Sequence, residues 1–152
     1  MKLPKTIYDY LNSQKLMAVS TVGEHPWIAW VYYAVDEDCN LYFISDSDSI
    51  HGKHLETNKK VACGIADTSQ SATSKKVALQ IYGEVSVVTG LNKLKWFFKM
   101  WAKINPGTEN KLNFEIYQTG KLESNVYRVV PKKVRFFNQN LYDNAESDGL
   151  FE

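Results

Sequence analysis

Residues 41–53 read LYFISDSDSIHGK, and the character of the chain changes at the centre of this stretch. Positions 41–45 are mostly apolar and aromatic, which is typical of a strand. Positions 46–49 alternate Asp and Ser, which favour turns and helix N-caps, and positions 50–58 suit a short helix. The stretch therefore predicts a strand that ends in a polar turn and leads directly into a helix.

The segments on both sides of this stretch predict more short strands, with helices between them. β-Branched and aromatic residues indicate strands at 16–22, 27–36, 61–66, 77–88, 125–130 and 132–137. Helical spacing indicates a short helix from an N-cap at Thr6 to about residue 14 and a longer helix at 91–104, whereas 113–118 fits either structure. Gly83 suits a bulge or a close backbone approach, and Pro131 suits an edge or a bend. This order of elements predicts a small antiparallel β-barrel or sandwich decorated by helices.

The composition describes one domain and gives no signal for several classes of partner. With 152 residues, the chain is long enough for one full hydrophobic core and too short for two large domains. Its net charge of +1 provides no general attraction to nucleic acid or to an anionic membrane, and no run of residues approaches the roughly 18–20 apolar positions that span a bilayer. We expect a cytoplasmic protein with one domain at 1–137 and an acidic tail at 138–152 that has little to bury.

The cysteines and histidines form no recognisable disulfide or metal pattern. Cys39 and Cys63 are too far apart for a zinc-ligand pair and too few for a disulfide framework, so reduced thiols are expected. His51 and His54 lie close enough in sequence to share a helix face. Their spacing supplies no third ligand, and no metal site is predicted.

The polar stretch after the predicted strand has two interpretations. Ser45, Ser47 and Ser49 offer hydroxyls, and the first turns of the following helix offer free N–H groups together with His51 and Lys53. This combination can bind an anion, most naturally a phosphate. The carboxylates at positions 46 and 48 oppose an anion, and the same Asp and Ser residues form ordinary helix caps. Both interpretations stay open from the residues alone.

The predicted helix at 91–104 also has two interpretations. Its lysines lie opposite a set of large apolar residues, Trp96, Phe97, Phe98, Met100 and Trp101. A basic, aromatic helix of this kind can lie on a membrane or meet nucleic acid. It can equally cover a barrel with its lysines in solvent, which is the interpretation we favour. Apolar residues nearly all round it also indicate that a second surface is covered, such as one from another subunit.

Three stretches in order resemble the pyridoxamine 5′-phosphate oxidase-like family, the FMN-binding split barrels. In that family a strand ending in two aromatic residues runs into Thr-Asn-x-x-Ser-Arg-Lys and then into a helix that ends Leu-x-x-Asn-Pro. Residues 36–61 follow this pattern without a gap, with matching positions at Tyr42-Phe43, Ser45-Asp46, Ser49-Ile50-His51 and Leu55-Glu56-Thr57-Asn58. Residues 80–85, QIYGEV, and 126–136, VYRVVPKKVRF, resemble its later strands, so the resemblance covers about residues 6–137.

The resemblance implies a mainly β fold with helices (α+β), a six-stranded antiparallel split β-barrel with flanking helices. It also implies a homodimer with FMN in grooves between the subunits. The cofactor residues transferred from the family are Ser45 and Ser49 on the phosphate with help from His51, Asp46 at the family's Asn position, and Gln80 facing the ribityl chain or the ring. Lys53 has no family counterpart, and we add it as an electrostatic substitute for the cations that this chain lacks.

The departures from the family pattern bear on both affinity and reaction. His51 replaces the Lys that grips the phosphate, Ile50 replaces its Arg neighbour, and the Arg of the preceding strand is missing near residues 28–29. Since each lost charge-assisted contact costs about 1.5–3 kcal/mol, we expect looser FMN binding. The C-terminal Arg/His motif that binds substrate in the oxidases is also missing, which argues against pyridoxamine phosphate oxidation.

These observations predict an FMN-binding protein that acts as a flavin-dependent oxidoreductase on an unidentified small-molecule substrate or electron donor. The flavin does the electron chemistry and the protein supplies position and electrostatics, so no catalytic side chain is predicted. An alternative is a non-catalytic binding module that uses the same groove between subunits for another flat ligand such as haem. His51 or His54 would then serve as an axial ligand.

Overall fold

The computed structural model describes residues 1–143 and 147–152 of the chain. Within them, eight strands form one sheet: β1 (Leu16–Val22), β2 (Pro26–Tyr32), β3 (Ala34–Val35), β4 (Leu41–Asp46), β5 (Lys60–Ala66), β6 (Val77–Val87), β7 (Ser124–Asn138) and β8 (Leu150–Phe151). Four helices accompany the sheet: α1 (Lys5–Ser13), α2 (Ile50–Thr57), α3 (Leu91–Ile104) and α4 (Phe114–Gln118). The segment 113–118, which fitted either structure from its sequence, therefore contains a helix.

Every strand pair is antiparallel, and the strands follow the order β2-β1-β5-β6-β7-β4-β3, with β8 beside β7. The first and last strands of this order, β2 and β3, are consecutive in the chain and are separated only by Tyr33. The extended segment 26–35 therefore pairs with β1 through β2 and with β4 through β3, so that the sheet curls round on itself. The antiparallel split barrel with flanking helices is confirmed. The sheet has eight strands rather than the expected six because the predicted strand at 27–36 breaks at Tyr33 and the chain end adds β8.

The inward face of the sheet forms the main core, because alternate residues of each strand point to the same side. On β1, Met17, Val19 and Thr21 are fully buried. Phe43 of β4 stacks on Tyr127 of β7, with 5.1 Å between the ring centroids. The outward residues of the same strands remain available to form a surface.

Helix α3 packs its apolar face on the outer side of the sheet. Its buried residues are Leu94, Phe97, Phe98 and Trp101. They share a cluster with Tyr42 of β4 and Val126 of β7, while the lysines at positions 95, 99 and 103 are exposed. The helix therefore covers the barrel with these lysines in solvent, as favoured from the sequence. No helix in the described part of the chain is long and apolar enough to cross a bilayer.

Strand β7 passes through Pro131 without ending, because a β-bulge accommodates the proline. The register with β6 shifts between Tyr82 and Gly83, so that Tyr82 faces Lys133 while Gly83 faces Pro131. Gly83 is needed for this approach, since a Cβ atom there would lie 2.8 Å from the backbone oxygen of Val130. The bulge predicted at Gly83 is confirmed, and the two predicted strand halves form one strand that pairs on both sides.

The start of the chain differs from the predicted capping box. Helix α1 begins at Lys5 after Pro4, and Thr6 makes no N-cap. An exposed ion pair of 2.7 Å joins Lys5 to Asp9 instead. The proline at the N-cap position is already extended, with φ −63° and ψ 152°, so the helix starts two residues before the position that the Thr and Asp spacing predicts.

The described part of the acidic tail packs against the sheet, although the sequence predicted little burial. The Phe136 N–H donates to the Gly149 carbonyl at 2.7 Å, next to the pairing of β8 with β7. Tyr142 and Phe151 pack against the main core. Gly149 has φ +68°, a left-handed conformation that favours glycine, and it allows the chain to turn back onto β7.

Both cysteines are free and buried, in agreement with the prediction of reduced thiols. Burial, helped by nearby Asp36 and Asp38, raises the pKa of Cys39 to about 11. Burial alone raises the pKa of Cys63 to about 12. Both thiols are therefore protonated at neutral pH and are poor nucleophiles.

Candidate functional site

The turn between β4 and α2 is organised by the N-cap of the helix. The Ser49 hydroxyl accepts a hydrogen bond from the Gly52 N–H at 3.0 Å and donates to the Asp46 carbonyl at 2.7 Å. The Asp46 carboxylate accepts from the Asp48 N–H at 2.8 Å. Gly52 is buried in this turn, where a Cβ atom would lie 2.7 Å from the carbonyl oxygens of Asp46 and Ser47. Ser49 therefore acts as a helix cap and has no hydroxyl proton left for an anion.

Ser45 and His51 contact each other directly across this turn. Ser45 Oγ lies 2.5 Å from His51 Nε2, and both side chains are half-buried. Burial and the neighbouring His54 lower the pKa of His51, against an opposing effect of Asp46. The imidazole is therefore neutral at pH 7. When its Nε2 carries the proton, Ser45 accepts that proton's hydrogen bond, and the Ser45 hydroxyl can donate to an anion.

His54 anchors α2 on the first hairpin of the barrel. Its Nδ1 lies 2.9 Å from the hydroxyl of Thr21, which is fully buried on β1. Gly23 allows this approach, because a Cβ atom there would clash with the imidazole ring. His54 thus fixes α2, and with it the Ser45–His51 pair, relative to the barrel.

The six residues predicted to bind a cofactor do not form one cluster. Four of them lie together at the β4–α2 junction, namely Ser45, Asp46, Ser49 and His51. Lys53 is exposed on α2 and forms no ion pair with any residue that the structure describes. Gln80 lies elsewhere, on the outer face of β6, where it lines a broad groove.

This outer groove crosses β1, β5, β6 and β7 and has a volume of about 810 Å³. Its floor consists of four small residues that the sheet register places side by side, Ala18 next to Gly64 and Ser20 next to Ala62. The next positions across the sheet are larger and polar, Gln80 and Tyr82 on β6 followed by Arg135 and Lys133 on β7. Because neighbouring strands lie about 4.8 Å apart, the floor between β2 and β6 is roughly 14 Å wide.

The floor is open because its side chains are so small. A Cβ atom built on Gly64 would meet nothing within 4 Å. The inward-facing Gly83 of the neighbouring strand is the opposite case, since its position is closed by Val129 and Val130. A flat ring system can lie on a floor of this kind, with the polar groups of β6 and β7 at one side.

A row of large apolar side chains on β2 borders the outer groove, and we call it the β2 rim. Its members Ile28, Trp30 and Tyr32 are 56, 64 and 44% exposed, and they alternate along one face of β2. Ile28 pairs with Ser20 and Trp30 pairs with Ala18, so the rim is continuous with the groove floor. Contiguous exposed apolar surface of this kind marks a ligand groove or a protein interface.

The sequence points to Gln80 but not to the rest of the outer groove. A signal was present, because small residues recur at every second position of β1 and β5, between residues that are buried. A period of two marks one face of a sheet. It does not show that the small residues of two strands lie next to each other, which depends on the register between strands far apart in the chain.

Comparison with known proteins places this fold in a family. The family model described as pyridoxamine 5′-phosphate oxidase matches residues 3–138. No curated protein matches the chain in sequence.

Solved structures share the fold at low sequence identity. A conserved hypothetical protein of Mycobacterium tuberculosis has a TM-score of 0.74 at 15% identity, covering 91% of this chain and 86% of that one. An FAD-binding protein of Mesorhizobium loti has a TM-score of 0.64 at 14% identity, covering 87% and 90%. The haem storage protein HutZ of Vibrio cholerae has a TM-score of 0.61 at 15% identity, covering 91% and 96%. The structural likenesses show the fold, and the match over residues 3–138 shows that the chain belongs to the pyridoxamine 5′-phosphate oxidase family.

Proposed function

We propose that the protein binds FMN in the outer groove and acts as a flavin-dependent oxidoreductase on a small-molecule substrate or electron donor. The observation that carries this proposal is the open floor of small residues, bordered by aromatic rings on one side and polar side chains on the other. Membership of the family supports it, and so does the likeness to the FAD-binding protein of Mesorhizobium loti.

The outer groove suits a flat ring with polar edges. Its small floor residues leave room for a ring, and the β2 rim and Tyr82 offer apolar contact at either side. The Gln80 amide offers both a donor and an acceptor to ring or ribityl heteroatoms. A bound flavin would supply the electron transfer, while the chain positions it and limits its contact with water.

The β4–α2 junction is the proposed phosphate end of the site. The Ser45–His51 pair offers one hydroxyl proton, the start of α2 offers backbone N–H groups, and Lys53 adds an exposed positive charge. Ser49 contributes through the cap that orients the helix, since its hydroxyl is already used. With a neutral His51, the phosphate is held mainly by uncharged donors, so FMN binding is looser than where Lys and Arg hold it.

The β2 rim supports a homodimer in which a second copy of the chain completes the site. Its row of exposed aromatic and apolar residues has the composition of an interface core, and it borders the groove. Trp30→Glu should give a monomer by light scattering, whereas Leu141→Glu, at another exposed apolar residue, should leave the dimer intact. A parent protein that is monomeric at high concentration would contradict the dimer.

The free, buried cysteines fit a cytoplasmic location.

A visible absorption spectrum, followed by titration of the stripped protein with FMN, tests the flavin proposal. We expect saturable quenching of flavin fluorescence, and about tenfold weaker binding, roughly 1.4 kcal/mol, in Ser45→Ala/His51→Ala. His25→Ala is the matched control, because it removes an exposed imidazole whose one hydrogen bond among the described residues is to the Pro26 carbonyl and whose ring lies beside Trp27. A purified dimer that neither retains nor takes up FMN would refute the proposal.

Haem binding is the second candidate, because the haem storage protein HutZ of Vibrio cholerae has this fold. His51 and His54 are the residues proposed as axial ligands, and their hydrogen bonds to Ser45 and Thr21 would have to break first. Neither is among the described residues that line the outer groove. A Soret band that saturates on haem titration and disappears in His51→Ala or His54→Ala would support this candidate. A titration without a Soret change would remove it.

A further inference from the structure

We propose that the outer groove binds a planar organic acid through Arg135, and that such acids are the substrate class of the flavin site. As a substrate assignment this rests on the proposed flavin function, whereas the anion site rests only on the groove. Arg135 lies on the outer face of β7, level with Gln80 of β6 and Leu150 of β8.

The guanidinium of Arg135 is held in place by its neighbours on the strand. It lies over the Phe137 ring, 5.5 Å from the ring centroid, which keeps the side chain along the sheet surface. The residue is half-buried, and its Nε atom is buried without a hydrogen-bond partner among the described residues. A donor in this position gains a hydrogen bond when an anion enters the groove.

The positive charge of Arg135 is not neutralised by a carboxylate of the described residues, so it is available to bind an anion. Within residues 1–143 and 147–152, no carboxylate forms an ion pair with it. Lys133, on the same face of β7, is paired with Glu152 at 2.7 Å, so the nearby tail carboxylate is bound to a different cation. A guanidinium partly removed from water gains most from a group that offers two oxygens to its two parallel N–H bonds.

The remaining groove residues define the body of this acid. Gln80 lies directly beside Arg135 and can donate its amide N–H to the same acid group. The floor on β1 and β5 offers no charged group, and in the flavin-loaded protein the flat body of the acid would lie over the flavin ring on this floor, with the Tyr82 ring at its side. An aromatic carboxylate can bind Arg135 and Gln80 through its acid group and lie flat in the groove with its ring. A small inorganic anion can bind only the two polar side chains.

Arginine side-chain NMR tests the site directly, because Arg128 and Arg135 are the two arginines of the chain. We expect benzoate to shift the Nε–Hε signal of Arg135 saturably and to leave the signal of Arg128, whose Nε is also buried, in place. Inorganic phosphate at equal ionic strength should shift the Arg135 signal at least about tenfold more weakly. Equal movement of both arginine signals, or phosphate binding as tight as benzoate binding, would overturn the proposal.

Calorimetric titration of variants with benzoate provides the second measurement. Arg135→Gln should weaken benzoate binding at least about tenfold, about 1.4 kcal/mol. Arg135→Lys keeps the positive charge but loses the two parallel N–H donors of the guanidinium, so its benzoate affinity should lie between those of Arg135→Gln and the parent. Lys132→Gln removes a charge from the same strand at an exposed position outside the groove, and should bind benzoate as the parent does. Unchanged benzoate binding in both Arg135 variants would overturn the site.

A parallel FMN titration separates this inference from the flavin function. Loss of benzoate binding in Arg135→Gln at unchanged FMN affinity supports a substrate subsite. Equal loss of benzoate and FMN would make Arg135 a flavin ligand and would overturn the substrate assignment. A parent that binds benzoate but no FMN would refute the flavin function and the substrate assignment together, and would support the anion site.

Discussion

The β4–α2 junction and the outer groove contain the two parts of the proposed flavin site, and they differ in how far their polar groups already have partners. At the junction, the Ser49 hydroxyl bonds in both directions and Ser45 pairs with His51. In the groove, the floor carries almost no side chain, and Arg135 has no ion-pair partner among the described residues.

This difference shows that a cluster of polar residues is a weaker sign of a ligand site than a gap in the packing. The Ser and Asp residues of the junction serve the start of α2, as their cap hydrogen bonds demonstrate. The small residues of the groove do not stabilise the barrel in a comparable way. Gly64 has open space beside it, where a larger side chain would bury more surface. An unfilled position of this kind suits an external ligand.

Filling the groove floor should have the largest effect. Gly64→Leu places a side chain where nothing lies within 4 Å, so the barrel should tolerate it while flat ligands are excluded. We expect FMN affinity to fall at least about 100-fold, about 2.7 kcal/mol, with a melting temperature within about 4 °C of the parent. Fluorescence titration and thermal unfolding measure both quantities. A folded Gly64→Leu variant that binds FMN normally would place the ring outside this groove.

An inward-facing glycine of the same sheet should behave in the opposite way. Gly83→Ala places a Cβ atom 2.8 Å from Val129 Cγ1 and the Val130 oxygen, beside the bulge. We expect the free energy of unfolding in urea to fall by about 1–3 kcal/mol, while the folded protein keeps its FMN affinity. Stability equal to the parent would contradict the close packing at this bulge. If Gly83→Ala instead lost FMN affinity at unchanged stability, the inward face of the sheet would contribute to FMN binding as well as the outer groove.

Removing the helix cap should have a smaller effect, on stability rather than on binding. Ser49→Ala loses the bond from the Gly52 N–H, which should lower the free energy of unfolding by about 1 kcal/mol. Ser47→Ala, whose exposed hydroxyl bonds the Glu123 carbonyl, is the control and should change it by less than about 0.5 kcal/mol. If Ser49→Ala instead lost FMN affinity at unchanged stability, its hydroxyl would serve the phosphate.

The smallest effect is expected from protonation of His51 at the junction when the pH falls. Burial and His54 lower the pKa of His51 in the folded state, so the unfolded chain takes up its proton at a higher pH. The free energy of unfolding should therefore decrease as the pH falls from about 7 to about 5, and it should decrease less in His51→Gln. Urea denaturation at several pH values measures the difference. Identical pH profiles would show that His51 titrates alike in both states.

Local patterns in the sequence predicted most of the elements, and their failures have physical reasons. The strand, turn and helix at 41–58 were predicted because capping and hydrophobic patterns act within a few residues. The break at Tyr33 and the return of the chain at β8 were missed, since each depends on which distant strand the segment pairs with. The Thr6 cap failed because Pro4 already presents an extended backbone ahead of the helix.

For the candidate site, the sequence by itself determined the family, the Ser45-to-His51 motif and the place of Gln80 on a strand, because these follow from residues close together in the chain. Only the tertiary structure decided that Ser49 is occupied as a cap and that the small residues of β1 and β5 form one floor beside Arg135. The physical reason is that cap occupancy depends on the exact path of the turn. The groove depends on strand register, which is set by pairing between segments far apart in the chain.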